Sequence, residues 1–241
     1  MLDAVFISDL HLNSCEPQLI SRFDAFIAWA LDNTRAVYVL GDLFHVWAGD
    51  DCVDAWSLAI AHQFQHLAGR GIQLYFMPGN RDFLLGSSFA KQAGFQLLHD
   101  PTVITLDGQS ILLAHGDAYC ILDKAHQRFR CLTRNAWFMS FFLSIPAKWR
   151  ARLVGKVRAQ SQRNRNKSPL VWDVVPKALI KDMRCYHLHT LIHGHIHKPG
   201  LRQHQRDDGN YRQFVLSDWD DTPQILIYNK TTGFEFIQPI A

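Results

Sequence analysis

The 241-residue chain predicts an α/β fold built on a parallel sheet. Short, continuously apolar runs recur at residues 4–8, 36–40 and 72–77, the pattern of strands buried on both faces. Two longer stretches with apolar residues at helical spacing separate them. Strand, helix, strand, helix, strand in that order is the βαβαβ pattern of a parallel sheet. Each run also stops at a polar cluster, and in such sheets ligands collect at the carboxyl ends of the strands.

The first run ends at Asp9-Leu10-His11. Pro17, preorganised for a first helical position, opens a helix with Leu19, Ile20, Phe23, Phe26, Ile27, Ala30 and Leu31 on one face. The second run stops at Gly41-Asp42. Val53, Trp56, Ile60, Phe64 and Leu67 mark another helix, closed by Gly69 and Gly71. The third run stops at Pro78-Gly79-Asn80-Arg81-Asp82. Residues 102–106 and 110–114 then flank an Asp107-Gly108 turn, a hairpin whose second strand delivers His115-Gly116-Asp117. Residues 176–185 read as a helix and 190–192 as a strand running into His193, His195 and His197. Imidazoles at alternate positions of an extended chain share a face, so two of them can grip one small object. Residues 224–228 and 234–237 predict a last hairpin. Internal repeats and low-complexity tracts are absent from the sequence.

A hydrophobic content of 48% and a charged content of 20% are those of an ordinary globular domain, and the whole chain, 1–241, reads as one domain with an insertion. Five cysteines, an odd number without a CxxC pair, predict free thiols in a reducing compartment. The N-terminus is acidic where a signal peptide would be basic, and no run approaches the roughly 17–25 apolar residues of a membrane span. A cytoplasmic monomer is the expectation. The net charge of +3 hides an asymmetry: residues 124–167 hold 12 Lys or Arg and no acid, which leaves 13 basic against 22 acidic residues elsewhere. An acidic body with one basic segment points to an anionic partner.

The strand-exit residues are Asp9, His11, Asp42, Asn80, Arg81, Asp82, His115, His195 and His197. Taken singly, an Asp after a strand is as readily a turn or helix cap, and His62, His66 and His126 read as helix-surface residues. Taken together, two carboxylates, an amide oxygen and four imidazoles, with no thiolate, suit borderline divalent ions such as Mn²⁺, Fe²⁺ or Zn²⁺. Seven groups overfill one site and fill two if a carboxylate bridges. Two ions about 3.5–4 Å apart activate a shared water and clamp phosphoryl oxygens, the equipment for hydrolysing a phosphate ester.

These residues resemble the calcineurin-like metallophosphoesterases, whose D-x-H, G-D, G-N-H-[DE], H and G-H-x-H blocks occur here in order from Asp9 to His197. The resemblance implies a four-layer αββα sandwich of two mixed sheets. It also implies one ion on Asp9, His11, Asp42 and His197, and a second on Asp42, Asn80, His115 and His195. One block departs: Arg81 stands where the histidine is usual. An always-charged arginine cannot protonate a leaving group but suits a grip on phosphate oxygens, which hints at a pyrophosphate whose leaving group is already a good anion. Asn80 and Arg81 are thus the candidate catalytic pair and, with His195, candidate substrate contacts.

Longer stretches (Gly41 to Phe44, Gly49-Asp50-Asp51, GNRDFLLG at 79–86, residues 192–199) are similar to the branch of that family acting on UDP-2,3-diacylglucosamine in Gram-negative lipid A synthesis. His45 departs from it where an acid is expected. The similarity implies water attack on the α-phosphate, UMP and 2,3-diacylglucosamine 1-phosphate as products, and Mn²⁺ as the metal. It makes residues 123–168 a helical lid, with substrate contacts at Asp123, Ser161, Asn164 and Lys167. It also implies a peripheral location on the cytoplasmic face of the inner membrane. The run 136–146 would extend only about 16 Å as a helix, too short to span a bilayer but able to dip into an interface. The alternatives are a nucleotide or nucleic-acid phosphodiesterase and a non-catalytic scaffold of the same fold. The uninterrupted aromatic run argues against nucleic acid, because single-strand binders intersperse aromatics with charge, and the intact ligand set argues against a scaffold.

Overall fold

The computed structural model describes residues 1–163, 169–220 and 222–238. Its first sheet orders β11 (Gly233–Ile237), β10 (Ile225–Asn229), β1 (Ala4–Ile7), β2 (Ala36–Val39), β3 (Gln73–Phe76) and β4 (Phe95–Leu97). Strands β1 to β4 are parallel, as the βαβαβ pattern predicts, while β10 and β11 add an antiparallel edge. The second sheet orders β5 (Thr102–Leu106), β6 (Gln109–Ala114), β7 (Thr190–His193), β9 (Gly209–Val215) and β8 (Gly200–Arg206), parallel only through β6, β7 and β9.

The apolar runs follow from what the strands face. Val5, Ile7, Val37 and Val39 enter a core beneath α1 (Pro17–Asn33), α2 (Ala55–Gly69) and α3 (Ser87–Ala93). Their neighbours Ala4, Phe6, Ala36 and Tyr38 point the other way and meet Leu113, Ile192 and Phe214 between the sheets. Both sides of these strands are buried, so alternation is lost. A third core, with Leu112, Leu179, Met183 and Leu191, lies between the second sheet and α8 (Pro176–Cys185). Helices, sheet, sheet and helix make the αββα sandwich.

The remaining helices are α4 (Lys124–Thr133), α5 (Ala136–Ser144), α6 (Ala147–Arg163) and α7 (Pro169–Trp172). The basic segment breaks at Ile145-Pro146, and α6 runs on through Gly155. A glycine inside a helix costs about 1 kcal/mol relative to alanine without ending it. Strands β8 and β9 escape the sequence reading because β8, on the sheet edge, carries one apolar residue, Leu201, among Arg, Gln and His. Among the described residues no helix is long and apolar enough to cross a membrane.

Phe64 is fully buried, with ring centroids 5.3 Å from Phe23 and 4.6 Å from Phe95. Phe64→Ala should lower the unfolding free energy by about 3–5 kcal/mol, measured by urea denaturation.

Candidate metal centre

Five strands deliver the candidate ligands to one end of the sandwich: β1 to Asp9 and His11, β2 to Asp42, β3 to Asn80, β6 to His115, and β7 to His195 and His197. The backbone turns sharply there. Asp9, His11, Asp42, His195 and His197 all have positive φ, between 52° and 73°. Left-handed backbone costs an L-residue about 1–2 kcal/mol, so this end of the fold carries strain that packing elsewhere must offset. Close approach matters as much. A methyl at Gly194 would overlap Ser8 and the Asp9 carboxylate, and one at Gly79 would overlap Asp42.

Both central carboxylates are buried. Asp9 Oδ2 accepts hydrogen bonds from Ser8 Oγ at 2.6 Å and from the His195 backbone N–H at 2.7 Å. Its Oδ1 accepts none, and an orphaned buried carboxylate oxygen calls for a partner such as a cation. Around it stand His197 Nε2 at 3.4 Å and His11 Nε2 at 3.8 Å. Asp42 turns Oδ2 toward His11 Nε2, 3.4 Å away, and Oδ1 toward His115 Nε2, 3.7 Å away. Asn80 Oδ1 lies 3.0 Å from the same His115 nitrogen, whose ring is oriented by Nδ1 donating to the Leu40 carbonyl at 2.9 Å. Two groups result, Asp9–His11–His197 and Asp9–Asp42–His115, each with its ligand atoms within 4.8 Å of one another. Asp42, with one oxygen toward each histidine, is placed to bridge. His195 lies outside both tight groups, its ring edge-on to His115 at 5.1 Å.

The charges follow from this packing. Burial pulls His197 down, but the carboxylates of Asp218 and Asp9 on either side of its ring carry it up to about 10. Burial likewise opposes His115, yet the charges of Asp42, Asp117 and Asp9 push it up to about 9. Asp9 and Asp42 sit well below the usual carboxylate range, because the surrounding imidazoles outweigh the effect of burial. His195 is driven down to about 3 by burial and by its neighbour His115, and burial lowers His11 too, so both offer lone pairs.

Other expectations need correction. His193 does not share a face with His195 and His197, because the strand ends at His193 and the chain turns left-handed at His195; its ring is buried, with Nε2 2.8 Å from Gln213 Nε2 and Nδ1 2.8 Å from the Gly194 carbonyl. His62 and His66 are exposed as expected, but His126 is half-buried and turned toward the site. Its ring lies 5.4 Å from His195, and its buried Nε2 is 3.6 Å from Asp117. Helical periodicity gave no warning, because α4 is held on the body by Arg130, which donates to Asp117 at 3.0 Å and to Asp100 at 2.9 Å.

Asp123 caps α4 by accepting from the His126 N–H at 3.1 Å and also lines the cavity beside the site. Arg81 Nε sits 3.2 Å from Asp42 Oδ2 on the wall of that cavity. Asn164, Lys167 and the side chain of Ser161 lie outside the described residues. His45, found where an acid was expected, is pushed down to about 4 by burial and by Arg158, and its Nε2 accepts from Arg158 Nε at 3.3 Å. Asp82, Asp117 and Asp218 are contributors that the sequence reading assigned no role. Asp82 accepts the backbone N–H groups of Gly79, Asp42 and Leu43, clamping two ligand loops together; burial and the Asp42 charge push its carboxyl up to about 6. Its place in the Gly-Asn-Arg-Asp block was the only available signal.

Residues 3–199 match the family model described as calcineurin-like phosphoesterase. The chain belongs to the calcineurin-like phosphoesterase family. Among similar proteins, UDP-2,3-diacylglucosamine hydrolase of Aeromonas hydrophila is 41% identical over 94% of this chain and 94% of its own length. Proteins of the same name from Neisseria meningitidis serogroup C (39% identical, 94% of each chain) and Vibrio cholerae serotype O1 (37% identical, 98% of this chain and 97% of that one) also match end to end. Calcineurin-like phosphoesterases work with divalent metal ions, and the donor set fits such ions: hard carboxylate oxygens, borderline imidazoles, no thiolate and one orphaned oxygen.

A cation taking His197 Nε2 and His115 Nε2 must displace their protons. Mn²⁺ binding at pH 7 should therefore release about two protons, and affinity should rise between pH 6 and pH 8. Calorimetry in buffers of different ionisation enthalpy checks this, and identical apparent enthalpies would contradict it.

Proposed function

We propose that this chain hydrolyses UDP-2,3-diacylglucosamine, giving UMP and 2,3-diacylglucosamine 1-phosphate. Water oxygen bonds to the α-phosphorus, and the bond from that phosphorus to the bridging oxygen breaks. The electron pair leaves with the sugar phosphate. Full-length relatives bearing that name make the substrate the first choice. The observation that carries the reading is a cavity of about 270 Å³ that begins at Asn80 and Arg81 and continues between Phe83, Phe129, Val154 and Val157. A polar, cationic end beside the carboxylates and an apolar far end suit a phosphate attached to acyl chains.

Two divalent ions, with Mn²⁺ the first choice by resemblance to that branch of the family, would supply an activated water and charge neutralisation at the attacked phosphate. Asp9, His11, Asp42 and His197 would hold one, and Asp42, Asn80, His115 and His195 the other. Arg81 faces the same cavity and neutralises charge building on the phosphate oxygens, while a leaving group that is already a stable anion departs without a proton from the protein. The charge of +12 on residues 124–167 is partly structural. Arg130 pairs with Asp100 and Asp117, Arg134 donates to the Pro78 and Gly79 carbonyls, and Arg150 is buried against Asp51 and the Ala48 carbonyl. These ties support residues 123–168 as a lid on one domain spanning 1–241, with Ser161, Asn164 and Lys167 as further substrate contacts. Trp137, Phe141 and Trp149, 86%, 68% and 60% exposed, stand on α5 and α6, the last of them between Lys148 and Arg152, a surface suited to an anionic bilayer interface. On this reading the protein works as a monomer, attached peripherally to the cytoplasmic face of the inner membrane.

UMP release from the lipid nucleotide should require Mn²⁺, stop with chelator and fall more than about 100-fold in Asp42→Ala. Cleavage of single-stranded DNA without UMP release would favour a nucleic-acid phosphodiesterase instead. The exposed Lys148, Arg152 and Lys156 test the lid: changing all three to Glu should raise KM for the lipid substrate about tenfold and spare a small phosphodiester. Equal losses on both substrates would contradict a lid role.

A further inference from the structure

We propose that Asp218 fixes the tautomer and ring orientation of His197 and thereby sets the cation affinity of the Asp9–His11–His197 corner. The inference rests on reading those three residues as ligands. His197 is the least sheltered ring of the corner: its side chain is 29% exposed, against 11% for His11. The strand pairing that holds β7 ends at His193, so no ladder fixes the chain at His197. Something else must aim the ring. Its Nδ1 lies 3.0 Å from Asp218 Oδ2, while Nε2 points at the orphaned Asp9 Oδ1, 3.4 Å away.

An Nδ1–H donated to Asp218 leaves Nε2 as the ligating atom, directed into the corner. The Leu40 carbonyl does the same for His115 from the backbone. The carboxylate differs in carrying a charge, which raises the basicity of the imidazole it accepts from. Asp218 is itself held firmly. The next residue, Trp219, is 1% exposed and packs edge-on against Phe26 of α1 at 5.4 Å, and its carbonyl accepts from Arg22 at 3.0 Å. The first amphipathic helix thus anchors the loop that aims the last histidine of the site. Asp218 acts through His197 and is a positioning residue.

The test uses the full chain, Asp218→Ala and Asp218→Asn, titrated with Mn²⁺ by calorimetry, with bound ions counted by electron paramagnetic resonance. Wild type should bind two ions. Asp218→Ala should keep one at wild-type affinity and bind the other about 10–100-fold more weakly. Asp218→Asn, whose amide oxygen still accepts Nδ1–H, should lose less. In the Zn²⁺-loaded protein, imidazole ¹⁵N spectra should show His197 as the Nδ1–H tautomer, and a mixture in Asp218→Ala. Unfolding in chelator separates these effects from a damaged fold. Asp218→Ala binding both ions with wild-type affinity, or weakening both equally, overturns the proposal. A wild-type chain that binds fewer than two ions overturns the metal centre itself and the inference with it.

Discussion

Two carboxylates, Asp9 and Asp42, are buried side by side at the ends of adjacent parallel strands, and most of the structure around them serves to hold them there. Like charges in a low-dielectric interior repel, and each costs several kcal/mol to desolvate. Imidazoles from β6 and β7, His115 and His197, answer that charge with protons, which a divalent cation would replace. The left-handed backbone at five candidate ligands and the glycines at 79 and 194 bring the carboxylates together. Asp82 clamps the two loops through three backbone N–H groups. Strain and buried charge at one end are tolerated because three apolar cores hold the four layers together.

The helices over the cavity follow a second electrostatic logic. Arg130, Arg134 and Arg150 spend their charge on the body, reaching Asp100, Asp117, Asp51 and backbone carbonyls. At His45 a neutral imidazole accepts from Arg158, a weaker tie than a carboxylate would make. Lys148, Arg152 and Lys156 face outward, with the Arg152 guanidinium 5.6 Å from the ring centre of the exposed Trp149. The basic segment is therefore in part an anchor, and in part exposed charge that the body does not neutralise.

Much of this is visible in the linear pattern because strands buried on both faces are continuously apolar and end abruptly in polar residues. Residues 4–8, 36–40 and 72–77 mark β1, β2 and β3 in that way, and their last polar residues include Asp9, Asp42 and Asn80. Strand β8 was not legible, since a sheet edge that faces water needs no apolar alternation, and β9 beside it breaks its apolar run with Arg212 and Gln213. The spacing of His193, His195 and His197 suggested one extended face, whereas the chain turns left-handed after Gly194 and separates them. His126 and Asp218 were invisible for a different reason: each reaches the site from another element, and no local pattern records such a contact.

The central claim is that Asp42 sits between two cations. Anomalous scattering from crystals grown with excess Mn²⁺ tests it most directly. Two peaks about 3.5–4 Å apart, one on each side of the Asp42 carboxylate, are expected. A single peak, or two that Asp42 does not join, would contradict the account.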